Sequence, residues 1–223
     1  MRKVIAAAFV SLDGVMQALG GPQEDPTGGF RYGGWVATYF DAVVDEAVGA
    51  RFGRPFDLLL GRKTYEIFAA HWPYAEDGPD ANIAKAFNAC RKYVATRSGV
   101  PLTWANSIAL NDAARDVARL RGEEGPDLVI QGSSVLVKTL LAEALIDEIC
   151  LLTFPLLLGH GKRFFGEDAK PGELKLERFT ASASGVTIVS YVPAGPVKTG
   201  GDFTLDTPTE AEMARRTKMH SEG

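Results

Sequence analysis

Cysteine is scarce in this chain, and its scarcity argues against a metal site. Only Cys90 and Cys150 occur among the 223 residues, and their separation is not typical of metal ligands. Neither His71 nor His160 lies in a cluster of ligand-type residues. We therefore predict two buried thiols and no bound metal.

Long apolar runs and excess positive charge are also missing. The run from Val4 to Val10 is too short for a signal-peptide core or a membrane span, and Asp13-Gly14 interrupts it. The formal net charge of −4 argues against a nucleic-acid binder that relies on a broadly basic surface. The sequence therefore predicts a cytoplasmic protein with neither a membrane nor a nucleic acid as its partner.

The two common nucleotide-binding fingerprints are absent as well. Neither a Walker-type lysine loop nor a G-x-G-x-x-G sequence occurs. Any nucleotide site in this chain must therefore be built from other residues.

What the chain does contain is an alternation of strand and helix patterns. The alternation runs for about 150 residues, after which two strand patterns follow one another. The leucines from Leu58 to Leu60 are typical of a strand covered on both faces, and Ala37 to Phe52 carries apolar residues at helical spacing. This order predicts an α/β protein whose mainly parallel central sheet is flanked by helices and finished by C-terminal antiparallel strands.

Three predicted strands end in residues that suit an anion. Ligands bind beyond the carboxyl ends of parallel strands, so the three segments should act together. Arginine and lysine suit phosphate, and the N–H groups of a helix start suit a pyrophosphate. The sequence therefore predicts a ligand with several phosphates. The segments are Gly61-Arg62-Lys63-Thr64, with Thr64 as a predicted helix cap, then Thr96-Arg97-Ser98, then Gly132-Ser133-Ser134-Val135.

Two further stretches have a glycine-rich composition. Residues 17–34 hold six glycines and form a long loop, and long loops in compact domains are often functional. Trp35 at its end predicts packing, either on the core or on a ligand. Gly159-His160-Gly161-Lys162 is similar to a phosphate-binding turn, but its position after a strand favours a turn with an exposed lysine.

Five segments in order resemble the dihydrofolate reductase-like superfamily, over roughly residues 1–194. The closest similarity is to the branch that holds the reductase domain of the bifunctional riboflavin-biosynthesis deaminase–reductase. The segments are Phe9-Val10-Ser11-Leu12-Asp13-Gly14, Leu59-Leu60-Gly61-Arg62-Lys63-Thr64-Tyr65-Glu66, Lys92-Tyr93-Val94-Ala95-Thr96-Arg97-Ser98, Gln131-Gly132-Ser133-Ser134, and Asp147-Glu148 leading to Phe154-Pro155-Leu156-Leu157-Leu158-Gly159-His160-Gly161-Lys162-Arg163-Phe164-Phe165.

The resemblance implies one reductase domain over residues 1–194 and a separate C-terminal tail over residues 195–223. Within the tail, Thr209-Glu210-Ala211-Glu212 matches a capping box, which predicts a short polar helix that docks on a partner or is loosely held. The resemblance also implies a homodimer.

NADPH is the reductant that the resemblance implies, with a small heterocycle as the substrate. Gly61, Arg62, Lys63 and Thr64 would lie at the adenosine phosphates. Thr96, Arg97 and Ser98 would flank the 2′-phosphate, and Gly132, Ser133, Ser134 and Val135 would surround the pyrophosphate. The first strand and the following loop would lie against the nicotinamide, with Phe9, Trp35 and Tyr39 as substrate-binding candidates and the loop of residues 17–35 as a lid.

The catalytic acid and the substrate stay open at this point. Folate reductases use an acidic residue on the first helix, where Asp41 and Asp45 both lie in this chain, and Asp13 is an alternative on a loop. We take Asp13 and Asp41 as the catalytic candidates. The first-choice activity is reduction of 5-amino-6-(5-phosphoribosylamino)uracil, as in riboflavin biosynthesis. Dihydrofolate reduction is the alternative, and a dinucleotide-binding or interaction protein without turnover is the alternative from another class.

Overall fold

The computed structural model describes residues 1–166, 169–200 and 207–222. Three-residue 3-10 turns occur at Thr27–Gly29, Ala37–Tyr39 and Trp72–Tyr74. The strands are β1 (Val4–Ser11), β2 (Phe56–Gly61), β3 (Lys92–Ala95), β4 (Ser107–Leu110), β5 (Asp127–Ile130), β6 (Glu148–Phe154), β7 (Glu173–Ala181) and β8 (Thr187–Gly195). The helices are α1 (Ala42–Phe52), α2 (Arg62–Ala69), α3 (Ala81–Ala89), α4 (Ala113–Gly122), α5 (Ser134–Ala142) and α6 (Glu210–Glu222).

These strands form one sheet in the order β4-β3-β2-β5-β1-β6-β8-β7. The pairings from β4 to β6 are parallel, whereas β8 runs antiparallel to β6 and β7 antiparallel to β8. The prediction of a mainly parallel sheet finished by C-terminal antiparallel strands is confirmed. We call the side of the sheet where the parallel strands end the carboxyl edge.

The three leucines of β2 show how the sequence places this strand inside the sheet. Leu58 and Leu60 belong to the apolar core that α1, α2 and α3 cover, while Leu59 belongs to the core beneath α4 and α5. Successive side chains of a strand point to opposite faces, and all three leucines are fully buried. Burial of each leucine contributes about 2 kcal/mol, so this segment is stable only where helices cover both faces.

The helix predicted from Ala37 to Phe52 is interrupted near its start. Phe40 is extended, with a ψ of 125°, and α1 begins only at Ala42. The Asp41 carboxylate accepts hydrogen bonds from the N–H groups of Val43 and Val44, so Asp41 precedes α1 as its cap. Apolar spacing concealed this break, because Phe40 fits the helical period although its ring packs on Phe9 outside the helix.

The second helix begins earlier than predicted, and its cap is a different residue. Arg62 is the first residue of α2, and Gly61 precedes it without a side-chain cap. The prediction that Thr64 caps this helix is therefore wrong. Thr64 faces the segment after β5 instead: a Cβ added at Gly132 would lie only 2.8 Å from the Thr64 hydroxyl oxygen.

The chain beyond β8 contains the predicted polar helix. The Glu212 N–H donates to the Thr209 hydroxyl at 3.3 Å, and α6 buries none of its residues. Because β8 ends at Gly195, the predicted boundary at residue 194 falls one residue inside that strand. Residues 201–206 and 223 of the predicted tail lie outside the described residues. Within the described part of the chain, no helix is both long and apolar enough to span a membrane.

Candidate functional site at the carboxyl edge

Three segments that the sequence analysis singled out meet at the carboxyl edge. The Gly61 N–H donates to the Gly132 carbonyl at 3.0 Å and so joins the ends of β2 and β5. The Arg62 guanidinium donates at 2.9 Å to the carbonyl of Val100, in the loop after β3. Neighbouring strands lie about 4.8 Å apart, so the three segments cover roughly 10 Å of the edge. The fold therefore builds one site from segments that are far apart in the sequence.

The junction of β2 and β5 requires glycine on both sides. A Cβ added at Gly61 would lie 3.0 Å from the Ser133 Cβ and 3.1 Å from its backbone nitrogen. Gly132 has a φ of +129°, which favours glycine, and the Gly132–Ser133 peptide bond is cis. Both α2 and α5 begin here, and the first N–H groups of a helix have no partner inside it. The junction thus offers backbone donors where an anionic ligand can approach closely.

The segment after β3 presents a cation to solvent. Arg97 is exposed and forms no hydrogen bond or ion pair with any residue that the structure describes. The hydroxyl oxygens of Thr96 and Ser98 lie 3.0 Å apart beside it. Arg62, by contrast, is paired with Glu66 at 2.6 Å. The donors of Arg97 are therefore available to a ligand, whereas Arg62 already holds two protein groups.

Phe9, Trp35 and Tyr39, the predicted substrate-binding residues, meet around Phe154 at the end of β6. The Phe154 ring centroid lies 5.8 Å from those of Phe9 and Tyr39 and 5.3 Å from that of Trp35. Phe40 stacks on Phe9 at 6.1 Å. We call these five residues the aromatic cluster. Trp35 and Phe154 are buried, whereas Phe9 and Tyr39 are half-buried and Phe40 is exposed, so the last three offer surface to a substrate.

A comparison with protein families finds a match that covers most of this chain. The family described as the RibD C-terminal domain matches residues 2–188. This chain belongs to that family. The resemblance inferred from the sequence motifs is thereby confirmed.

Relatives of this RibD C-terminal domain protein match most of its length. YyaP of Bacillus subtilis (strain 168), an uncharacterized protein, is 27% identical over 85% of this chain and 94% of its own. A solved structure from Shewanella sp. PV-4, named for riboflavin biosynthesis, is 21% identical with a TM-score of 0.65, covering 86% of this chain and 99% of that chain. Dihydrofolate reductase from Enterococcus faecalis, solved with NADP(H), is 15% identical with a TM-score of 0.52. The match covers 86% of this chain and 96% of that chain. These structures confirm a dihydrofolate reductase-like fold.

Asp13, one catalytic candidate in this RibD C-terminal domain protein, holds two loops together. Its carboxylate accepts hydrogen bonds from the Ser11 hydroxyl at 2.6 Å and from the N–H groups of Leu158 and Gly159 at 3.1 and 2.9 Å. Arg163 lies 3.4 Å from the same group. Burial alone would raise the pKa of Asp13, but these hydrogen bonds hold the pKa below its ordinary value of 3.8. Asp13 is thus ionised at neutral pH, and its catalytic role stays a prediction.

Asp41, the other candidate, is engaged in a similar way. Besides capping α1, its carboxylate accepts a hydrogen bond at 3.1 Å from the Ser184 N–H, in the turn between β7 and β8. The Val44 N–H holds the pKa of Asp41 below its ordinary value, and the Ser184 N–H adds to this effect. The geometry assigns Asp41 a structural task at the carboxyl edge, and its catalytic role also stays a prediction. Asp45, left open as an alternative, is exposed in the first turn of α1.

Sequence analysis missed Asp25, which lies in the glycine-rich loop. Its buried carboxylate contacts Lys63 at 3.1 Å and also accepts a hydrogen bond from Lys162. Lys63 is one of the predicted cofactor-binding residues, and Lys162 follows the Gly159-His160-Gly161 turn. No periodic pattern marks an acid within a glycine-rich loop. The sequence shows only that Lys63 and Lys162 each lie within two residues of a glycine, Gly61 and Gly161.

Proposed function

We propose that this protein is an NADPH-dependent reductase that transfers a hydride to a small heterocyclic substrate. The observation that carries the proposal is the meeting of three segments at the carboxyl edge, each with a different group for an anion. Gly61 and Gly132 leave room for close backbone approach, and Arg97 has unused donors among the described residues. A dinucleotide with an additional phosphate fits such a set of groups.

We infer that the residues at the edge would hold NADPH in sheet order. Thr96, Arg97 and Ser98 would hold the 2′-phosphate beyond β3, and Gly61 to Thr64 would hold the adenosine phosphates beyond β2. Gly132 to Val135 would hold the pyrophosphate beyond β5, which leaves β1 and the aromatic cluster for the nicotinamide end. NADPH supplies the hydride when bound. The tasks of the chain itself are to hold cofactor and substrate at a fixed distance and to exclude water.

For the substrate, we infer a pyrimidine of the riboflavin-biosynthesis type, 5-amino-6-(5-phosphoribosylamino)uracil. Membership in the RibD C-terminal domain family supports this choice. The aromatic cluster supports a flat heterocycle, since Phe9 and Phe40 offer ring surface at the end of β1. Folate reduction is the weaker candidate, because Asp41 is occupied by α1 and by Ser184.

A binding protein without turnover is the rival from another class. The engaged carboxylates of Asp13 and Asp41 favour it, because neither acid is held in the protonated form that would donate a proton. Thermal unfolding with NADPH and with NADH tests the cofactor. We expect NADPH to raise the midpoint more, by an amount that grows with the logarithm of its concentration. If neither nucleotide raises the midpoint, both the cofactor and the reductase activity are excluded.

Spectrophotometric measurement of NADPH consumption, with the pyrimidine or with dihydrofolate, then separates the activities. Turnover with the pyrimidine alone supports our choice of substrate. Binding of NADPH without turnover of either compound supports the rival.

We also infer a homodimer that forms through the β7–β8 hairpin. Leu174, Leu176 and Phe179 pair with alternate residues of β8 and so share one face of the hairpin, where they are 41%, 50% and 60% exposed. Exposed apolar side chains grouped on one face are typical of an interface. The three side chains carry no charge, so the same patch on a second copy can pack on them without repulsion in a two-fold arrangement.

A further inference from the structure

Two lysines from distant parts of the chain converge on the carboxylate of Asp25. Lys63, the second residue of α2, lies 3.1 Å from one carboxylate oxygen, and Lys162, between β6 and β7, donates to the other. Both ammonium groups also donate to the Thr27 hydroxyl, at 3.1 Å from Lys63 and 3.0 Å from Lys162. Lys63 and Lys162 are therefore neighbours across the glycine-rich loop, and we call them the lysine pair.

Asp25 is more deeply buried than the lysine pair, so the positive charge of this cluster faces solvent. The Asp25 side chain is 7% exposed, whereas the side chains of Lys63 and Lys162 are 46% and 41% exposed. A ligand that approaches from solvent therefore meets ammonium groups before it meets the carboxylate. With two ammonium groups and one carboxylate, the group has one positive charge in excess.

A count of donors leads to the same conclusion. An ammonium group has three N–H donors. Within the described residues, Lys162 donates to Asp25 and to Thr27, whereas Lys63 donates to Thr27 and forms an ion pair with Asp25 at 3.1 Å. At least one donor on each lysine is therefore left for a ligand. Two donors beside an unbalanced positive charge suit an oxygen-rich anion such as a phosphate.

A buried framework holds Asp25 in place. The Gln17 side-chain amide donates at 2.9 Å to the carbonyls of both Asp25 and Thr27, and its oxygen accepts from the Lys162 N–H at 3.0 Å. Burial raises the pKa of Asp25, but Lys162, Thr27 and Lys63 together lower it to about 2, so the carboxylate is charged at neutral pH. Burial lowers the pKa of Lys162. The Lys63 ammonium lowers this pKa further, whereas the Asp25 carboxylate acts to raise it.

The lysine pair borders the junction of β2 and β5. Lys63 is followed by Thr64, whose hydroxyl faces Gly132. The Lys162 carbonyl accepts from the Met16 N–H at 2.8 Å, and the Met16 methyl also faces Gly132, 3.5 Å from where a Cβ would lie. A phosphate on the lysine pair would thus belong to a ligand that also reaches this junction.

We propose that Asp25 is a positioning residue that presents Lys63 and Lys162 together to one phosphate group of the ligand bound at the carboxyl edge. The proposal rests on the proposed function in placing that ligand there, and it adds Lys162 and Asp25 to the site. The phosphate comes either from the dinucleotide or from a phosphorylated substrate. Gly159-His160-Gly161-Lys162, interpreted from the sequence as a simple turn, then contributes directly to binding.

Calorimetric titration of the full-length chain with NADPH, NADH and inorganic pyrophosphate tests the proposal. We expect Lys162→Met to raise the dissociation constant of at least one phosphate-bearing ligand about tenfold, because it removes a charge-assisted hydrogen bond. Lys162→Arg should retain most of the affinity. Lys85→Met, at an exposed position on α3, is the matched control and should change no constant.

Asp25→Asn distinguishes positioning from charge alone. This change raises the net charge of the group by one, so a purely electrostatic role predicts tighter binding of pyrophosphate. Positioning predicts weaker binding, because the two ammonium groups lose the carboxylate that holds them together. Thermal unfolding of each variant checks that the loop remains folded.

The source of the phosphate follows from which ligand is affected. If Lys162→Met weakens the binding of NADPH and NADH equally, the lysine pair contacts the pyrophosphate of the cofactor. If Lys162→Met raises the KM of the phosphorylated pyrimidine and leaves the KM of its dephosphorylated form unchanged, the lysine pair contacts the phosphate of the substrate. The unmodified chain could bind pyrophosphate but not NADPH, with Lys162→Met weakening the binding of pyrophosphate. The proposed function would then be wrong, whereas the lysine pair would still be a phosphate site. The proposal is overturned if Lys162→Met changes neither a dissociation constant nor the KM of the phosphorylated pyrimidine more than twofold, or if Asp25→Asn binds pyrophosphate more tightly.

Discussion

Arg97 is the residue whose task is easiest to separate from the fold. It is exposed and unpaired among the described residues, so its side chain contributes little to stability. Its position after β3 follows from a strand end, which the sequence pattern predicted correctly. A binding measurement on an Arg97 variant therefore tests its contact with a 2′-phosphate without interference from a loss of stability.

We predict that Arg97→Ala raises the dissociation constant of NADPH about tenfold to a hundredfold, because a charge-assisted hydrogen bond contributes about 1.5–3 kcal/mol. The dissociation constant of NADH should change by less than about twofold. Titration of both nucleotides measures the two losses. Arg115→Ala, at an exposed position on α4, is the control and should change neither. An equal loss for NADPH and NADH would contradict a role at the 2′-phosphate.

Gly61 gives a prediction that concerns packing rather than charge. In Gly61→Ala the new methyl group would lie 3.0 Å from the Ser133 Cβ, so the ends of β2 and β5 must move apart. We expect a loss of about 1–3 kcal/mol in the free energy of unfolding, measured by urea denaturation.

Gly49→Ala is the matched control for this change. Gly49 lies within α1 with no atom within 4 Å of an added Cβ, so the substitution should stabilise the chain by about 0.5–1 kcal/mol. Similar effects at both positions would show that Gly61 is not a site of close approach.

At the scale of elements, the opposite ends of the strands are joined by a buried ion pair. Arg2 precedes β1 and Asp57 lies at the start of β2, and both are buried. Arg2 also donates to the Pro126 carbonyl at 2.6 Å, and Asp57 accepts from the Arg91 N–H at 3.0 Å. These contacts fix the starts of β1, β2, β3 and β5 to one another.

We predict that Asp57→Asn lowers the free energy of unfolding by about 3 kcal/mol, because it leaves the Arg2 guanidinium buried without a counter-charge. Urea denaturation measures the loss. Glu123→Gln removes the exposed pair with Arg119 on α4 and should cost less than about 0.5 kcal/mol. A loss at Asp57 no larger than that at Glu123 would mean that water reaches the buried pair.

Element type was predicted well from the sequence, whereas the starts of α1 and α2 were not. The leucines of β2 required a strand buried on both faces, and that is where the strand lies. The start of α1 was missed because Phe40 obeys the helical period while packing elsewhere. The start of α2 was missed because no loop separates it from β2. Periodicity records which residues are apolar, but not where the backbone turns.

For the whole molecule, Asp25 connects the glycine-rich loop with α2 and with the chain after β6. Its pKa of about 2 lies below the ordinary value of 3.8, so the charged carboxylate stabilises the folded state. That stabilisation is complete above the unfolded-state pKa and is lost as the pH falls through the folded-state pKa.

We therefore predict that Asp25→Asn is less stable than the unmodified chain by a constant amount above about pH 5, and that the difference narrows between about pH 4 and about pH 2. Urea denaturation across this range measures it. A difference that persists unchanged at the acidic limit would show that the ionised carboxylate does not stabilise the fold.

The association of two copies is the second prediction for the whole molecule. Leu176→Asp on β7 should shift the mass in light scattering from two chains towards one, because a charge on the apolar face would be buried without a partner. Tyr74→Asp replaces a side chain that is 83% exposed away from the hairpin and should leave the mass unchanged. A mass of one chain for the unmodified protein would exclude the dimer.

The sequence by itself determined the order of strands and helices and the three segments at strand ends, because these depend on neighbours within a few residues. Gly61, Arg97 and Gly132 could be selected in this way. Only the tertiary structure decided that Asp25 holds Lys63 and Lys162, since Asp25 and Lys162 lie 137 positions apart. It likewise decided that Asp13 and Asp41 are engaged with N–H groups from Leu158 and Ser184. Such pairings depend on which loops the sheet order brings to the carboxyl edge, and local patterns contain no information about that order.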